Sequence, residues 1–182
     1  DDLLADQVLD DLAAALALNP RQPSWLILRS VRQEEDGDLA GAEQSLLRAN
    51  EVSQYYIPRW SLAAFYYRQG NRAQFSRWAR AALSAGTGAP ESLLRMAQNL
   101  DFTPDEILAS VVPPDRARVE HYLWTALQDD NVKAANLAAR RLLTLGDKAS
   151  LPPVLDATDA LFRTGDLPDA QHLGDGVDDL RS

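Results

Sequence analysis

The stretch Gly37-Asp38-Leu39-Ala40-Gly41-Ala42 decides the fold, because one helical pattern runs into it and another runs out of it. Before it, residues 24–33 carry Trp25, Leu26, Leu28 and Val31. After it, Leu39 to Val52 carries Ala42, Leu46, Leu47, Ala49 and Val52. Those spacings gather apolar side chains on one face of a 3.6-residue helix. Glycine takes the left-handed conformation that ends a helix, and the aspartate behind it caps the next N-terminus with its side-chain oxygen. The pair closes one helix and opens its partner. The same punctuation returns at Gly70-Asn71 and Gly165-Asp166, and more loosely at Asp130-Asn131. Gly70 follows Gly37 by 33 residues, a period that predicts an array of helical hairpins.

Outward from there the chain reads as helix after helix. Asp2 to Leu18 is amphipathic through Leu3, Leu4, Val8, Leu9, Leu12 and Leu16, and stops at Asn19-Pro20. Ser53 to Pro58 reads as a connector. Trp60, Leu62, Ala63, Phe65 and Tyr66 precede Gly70; Phe75, Trp78, Ala79, Ala82 and Leu83 follow Asn71. Gly86 to Pro90 ends this pair and reads as a linker. Glu91 to Leu100 predicts a shorter helix, and Thr103-Pro104-Asp105-Glu106 caps another that reaches about Val111. Pro113-Pro114-Asp115 breaks the chain again. Arg116 to Leu127 and Val132 to Leu145 form a third hairpin, stopped by Gly146; Leu151 to Arg163 and Pro168 to about Leu180 form a fourth. Gly174 and Gly176 each cost a helix about 1 kcal/mol relative to alanine, so the last helix is expected to be frayed or distorted. No stretch alternates with the period of a strand for more than a few residues. The fold class expected is all-α, with about 10–11 helices over one domain of 182 residues: clear repeats over 1–85, an irregular segment 86–114, and hairpins over 115–146 and 150–181.

Composition narrows the function. Hydrophobic residues at 46% and charged ones at 25% read as a soluble folded chain. Carboxylates outnumber lysine and arginine 27 to 18, giving a net charge of −9. A phosphate-binding face needs clustered cations, so nucleic acid is not an expected partner. Cysteine is absent, which removes disulfides, thiolate nucleophiles and thiolate metal ligands. No apolar run approaches the ~18 residues of a membrane span. The chain begins at Asp1 and not Met, which we read as a processed or excised piece. The compartment is open: cytoplasmic, or extracytoplasmic after removal of an N-terminal segment.

The hairpin signature resembles the tetratricopeptide repeat (TPR) family. Gly37, Asp38, Ala42, Leu46 and Ala49 match its turn and second helix. Gly70, Asn71 and Ala82 repeat the spacing, Ala79 takes the place of Leu46, and Phe75 stands where Ala42 predicts a small residue. Gly165, Asp166 and Ala170 match again, as do Asn131 and Ala135. The segment before Asn19-Pro20 resembles the back half of a preceding, truncated repeat. Trp25 and Trp60 stand 12 and 10 residues before their glycines, so the first helices follow the pattern less closely than the second. The resemblance implies antiparallel hairpins stacked as a right-handed superhelical α-solenoid. It implies a concave surface, lined by the first helices, that binds a protein or peptide.

In that register the surface displays Trp60, Ala64, Tyr67 and Arg68 from the second hairpin. It adds Glu120, Trp124 and Gln128 from the third, and Asp156, Asp159 and Arg163 from the fourth. Exposed aromatics and arginines are the stuff of binding hot spots. The plainer alternative puts Trp60 and Trp124 in the core, one position away. Tyr55-Tyr56-Ile57-Pro58-Arg59-Trp60 is the densest aromatic stretch, either an exposed platform or a pinned connector. His121 and His172 are the only histidines and read as surface or boundary residues, not as metal ligands or catalysts. The acidic runs sit at helix ends, where capping and solvation explain them. The expectation is a non-catalytic binding scaffold with no cofactor and a neutral or basic partner. The alternatives are the assembly or regulatory repeat portion of a larger bacterial membrane-anchored or enzymatic protein, and self-association into a homo-oligomer.

Overall fold

The structure, a computed structural model, describes residues 22–86, 88, 90–146 and 148–181. Among these residues there is no strand, and ten α-helices follow one another. They are α1 (Pro23–Glu35), α2 (Leu39–Val52), α3 (Tyr56–Arg68), α4 (Arg72–Ser84), α5 (Glu91–Asn99), α6 (Pro104–Glu106), α7 (Arg116–Gln128), α8 (Val132–Leu145), α9 (Leu151–Thr164) and α10 (Leu167–Arg181). The helix expected over residues 2–18, with its Asn19-Pro20 stop, lies outside the described residues. The chain divides between residues 89 and 90 into two compact units. In the first, α1 pairs with α2 and α3 with α4, and α2 also packs on α3. In the second, α7 pairs with α8 and α9 with α10; α8 also touches α9 and α10, and α7 touches α9.

Four turns make these hairpins, and they share one hydrogen-bond scheme. The amides of Gly37, Gly70, Asp130 and Gly165 donate to the carbonyls three residues back. The amides of Asp38, Asn71, Asn131 and Asp166 donate five back, all eight bonds between 2.8 and 3.3 Å. This closes each helix with a left-handed residue, as helix C-termini often require. The residue after it then opens the next helix. Asp38 accepts from the Gly41 amide at 2.9 Å, Asn71 from Gln74 at 3.1 Å, Asn131 from Ala134 at 3.1 Å and Asp166 from Asp169 at 3.4 Å. One side chain thus ends one helix and caps its partner, which is why Gly-Asp and Gly-Asn recur. The third turn departs at one point: the left-handed residue is Asp130, at φ 50°.

Counting from the turn residue aligns the packing. Five residues on stand Ala42, Phe75, Ala135 and Ala170, all buried at the helix crossing. Phe75 fits there because Ala79, one turn later, is small where the first hairpin has Leu46; the two positions exchange bulk. The Phe75 ring meets Tyr67 with centroids 6.3 Å apart. Seven residues before the turn, Ser30, Ala63, Leu123 and Thr158 are all buried.

Three expectations are corrected. The last helix is continuous from Leu167 to Arg181. Gly176 is placed where an added Cβ would stand 2.7 Å from Leu143 Cδ1, so glycine lets α10 lie close on α8. The first turn of α10 is held as well: Arg140 donates to Asp169 at 2.6 Å, Asn136 also donates to Asp169, and Arg140 Nε donates to Asn136 at 3.0 Å. The connector after α2 is shorter than expected. Helix α3 begins at Tyr56, with Pro58 in the first turn, where a missing N–H breaks no helical bond. Finally, the glycine-rich linker is not empty punctuation: a Cβ at Gly88 would collide with the Tyr56 ring, so Gly88 admits that ring.

The irregular segment keeps its predicted start. Thr103 and Glu106 form a reciprocal capping box, with bonds of 2.8 and 3.3 Å. The helix then widens into a π-helical turn, Ile107–Val111, closed by the Val112 amide on the Ile107 carbonyl at 2.9 Å. Ile107, Val111 and Val112 are buried there.

Candidate functional site

A first helix has one face for its hairpin partner and one left over. Positions three, six and ten before the turn lie on the leftover face, since steps of three and four residues return to the same side of a helix. In α7 these are Leu127, Trp124 and Glu120; in α9 they are Phe162, Asp159 and Leu155. Between α7 and α9 lies a cleft of about 590 Å³, a size typical of ligand sites. Its apolar lining comes from Ala126, Leu127, Val132, Ala160 and Phe162, and its polar lining from Asp130, Asp156, Asp159 and Arg163. Trp124, 59% exposed, stands one turn before Leu127 on α7, and Phe162 is 52% exposed. Arg163 Nε donates to the Asp159 carbonyl at 3.4 Å.

Of the residues singled out in the sequence, Asp156, Asp159 and Arg163 line this cleft together. Gln128 is exposed beside it at the end of α7. Glu120 is half-buried at the other end, where Ser150 Oγ donates to it at 3.0 Å and Arg116 lies 3.7 Å away. The residues missed were Leu127, Asp130 and Phe162. The turn could have found them: Leu127 and Phe162 both stand three residues before their turn residue, the position Tyr67 holds in the second hairpin.

The first unit presents the same positions differently. Ala64 is buried, a correction to its expected display: α3 is packed on several sides, with Leu62 to Tyr66 all buried. Trp60 and Tyr67 are half-buried, Tyr67 leaning on Phe75. Arg68 is exposed but engaged, donating through Nε and Nη2 to both oxygens of Glu34 at 2.9 and 2.6 Å. Tyr66 donates to Glu43 at 2.5 Å, joining α3 to α2. Burial, reinforced by the Glu43 carboxylate, pushes the Tyr66 phenol up to about 12. In the second unit, burial and then the charge of Asp105 raise the Tyr122 phenol still further. Both are structural phenols held neutral.

The aromatic stretch after α2 alternates. Tyr56 and Pro58 are buried, whereas Tyr55 is 75% exposed and Ile57 is exposed. The outward pair lines a smaller apolar hollow of about 450 Å³ with Pro23 and Ile27. His121 Nε2 lies 3.1 Å from Glu91 Oε1. His172 faces a third hollow, between α8 and α10, beside Arg140 and Asp175. Among the described residues no three histidine or carboxylate groups converge as a metal site, and no helix is long and apolar enough to cross a membrane.

The class these features define is an all-helical protein of paired helices carrying an open, acid- and aromatic-lined cleft. No protein-family model matches the chain, and the curated proteins compared with it give no match, so the likeness to tetratricopeptide repeats rests on the hairpin signature itself.

Proposed function

We propose that the chain is a non-catalytic binding scaffold, a TPR-like stacked array of hairpins whose first-helix face captures a segment of another protein. The observation that carries this reading is Trp124. It is a large aromatic side chain held more than half exposed on a regular helix, one turn before Leu127 of a cleft with a second exposed ring at Phe162. It is the kind of residue that anchors an interface, because it buries much area for little lost rotamer freedom. The cleft offers a groove of hydrogen-bonding and apolar groups, the mixture a bound peptide segment requires. The assembly or regulatory part of a larger protein is compatible with the same face, since it would use it in the same way.

The test is selection of peptides from a random displayed library on the wild-type chain, with affinity then measured on Trp124→Ala. The expected result is at least about a ten-fold loss of affinity with a melting temperature shifted by less than about 2 °C. Selected peptides that bind the variant equally well would put recognition elsewhere and end this reading.

A further inference from the structure

We infer that the α7–α9 cleft takes a cationic side chain, a lysine or arginine presented by an extended peptide; this rests on the binding reading above and names what it recognises. Three carboxylates, Asp130, Asp156 and Asp159, face the cleft against one guanidinium, Arg163. Among the described residues none of the three carboxylates is engaged in an ion pair or in a side-chain hydrogen bond. They are exposed around an apolar floor of Ala126, Leu127 and Ala160. A lysine or arginine has an apolar stem for such a floor and a charged head for such a rim. Phe162, an exposed aromatic, lines it, and the exposed Trp124 stands one helical turn before Leu127; a cation over an aromatic face is attracted by the ring quadrupole.

The first unit carries a different pair at the matched positions. Arg68 stands two residues before Gly70, and Glu34 three before Gly37; they meet across α1 and α3 in a two-point ion pair. The turn-matched residues in the second unit are Arg163 and Leu127. A leucine accepts no hydrogen bond, so the position that holds Glu34 in the first unit gives Arg163 no carboxylate, and Leu127 lines the cleft there. Arg163 keeps donors free of α7 for a peptide carbonyl. A second copy of the chain is the less suited occupant, since two bodies of net charge −9 repel, whereas a basic segment is drawn in.

The experiment is fluorescence anisotropy of the full chain with fluorescein-labelled peptides that are identical except at one central residue: lysine, arginine, norleucine or glutamate. The expected order is lysine and arginine tighter than norleucine by about ten-fold or more, and glutamate weakest. The preference should shrink as salt rises from about 50 mM to about 500 mM. It should also vanish in the doubly substituted chain Asp156→Asn, Asp159→Asn, with the single Asp156→Asn variant read in its place if the double one melts early. Norleucine binding as tightly as lysine, or glutamate binding best, overturns the cationic inference while leaving a peptide groove in place. If no peptide binds, or all bind Trp124→Ala unchanged, the groove reading falls and takes this inference with it.

Discussion

Glu34 with Arg68, and Leu127 with Arg163, occupy the same two places in their hairpins and behave in opposite ways. In the first unit the pair bridges adjacent first helices with two hydrogen bonds of 2.9 and 2.6 Å. In the second a cleft of about 590 Å³ lies between them. The surrounding machinery is the same in both: a left-handed residue, a dual-purpose Asp or Asn cap, and a buried residue five places on. The difference teaches that a hairpin repeat has two layers of specification. The turn and the second helix are constrained by close packing, so they vary within narrow limits. The outward row of the first helix is constrained only by what it meets, so matched positions carry an ion pair in one unit and line a cleft in the other.

The strongest way to break this comparison is to attack the layer held to be common. Phe75→Ala empties a fully buried position and removes the ring against Tyr67. We expect a loss of about 3–5 kcal/mol of unfolding free energy, measured by urea denaturation. A loss below about 1 kcal/mol would mean that the position five residues past the turn is not a shared core site. The alignment of the two units would then have no footing.

The same two layers explain what could be read from the sequence. All four turns were legible because their chemistry is local: φ > 0 favours glycine, and the cap needs a short oxygen-bearing side chain one residue later. The second-helix core was legible because close crossing selects Ala42, Ala135 and Ala170. Phe75 looked like a violation only because its compensation by Ala79 is a packing fact, visible when the two are set side by side in three dimensions. Gly174 and Gly176 misled for a related reason. Helix propensity is a weak term beside the contact that Gly176 allows with Leu143. Of the residues named from the repeat register, Asp156, Asp159 and Arg163 come together in one cleft and Trp124 is exposed. Ala64 was misplaced because nothing in α3 itself says how much of that face α2 and α4 cover. Leu127 was missed because an outward leucine reads as ordinary core until its turn-matched counterpart is seen to be a glutamate.

A sharper test rebuilds the seam. Leu127→Glu places a carboxylate three residues before the turn, where Glu34 stands in the first unit. If the two pairs are equivalent, the new carboxylate meets Arg163 across the cleft. A double-mutant cycle with Arg163→Met should then give a coupling of about 0.5–1 kcal/mol, the range of well-formed pairs near a surface. The coupling should decline with salt. No coupling would show that α7 and α9 diverge in geometry as well as in side chains, and that the cleft is open for a reason other than the lost acceptor.

The smallest effect is expected at the one turn that lacks glycine. Asp130 holds φ at 50°, a conformation that costs an L-residue roughly 1–2 kcal/mol, less for aspartate than for most. Glycine relieves that cost but loses about 0.5–1 kcal/mol to its greater freedom in the unfolded chain. Asp130→Gly should therefore raise stability by only about 0.5 kcal/mol, read as a small shift of the denaturation midpoint at unchanged slope. The sign matters more than the size. A gain means that the turn would fold better as its three counterparts do, and that the carboxylate at the cleft is kept against the local preference of the backbone. A loss means that Asp130 contributes to the fold through its side chain. The third turn would then differ from the others in structure, and the two units would share less than their hydrogen bonds imply.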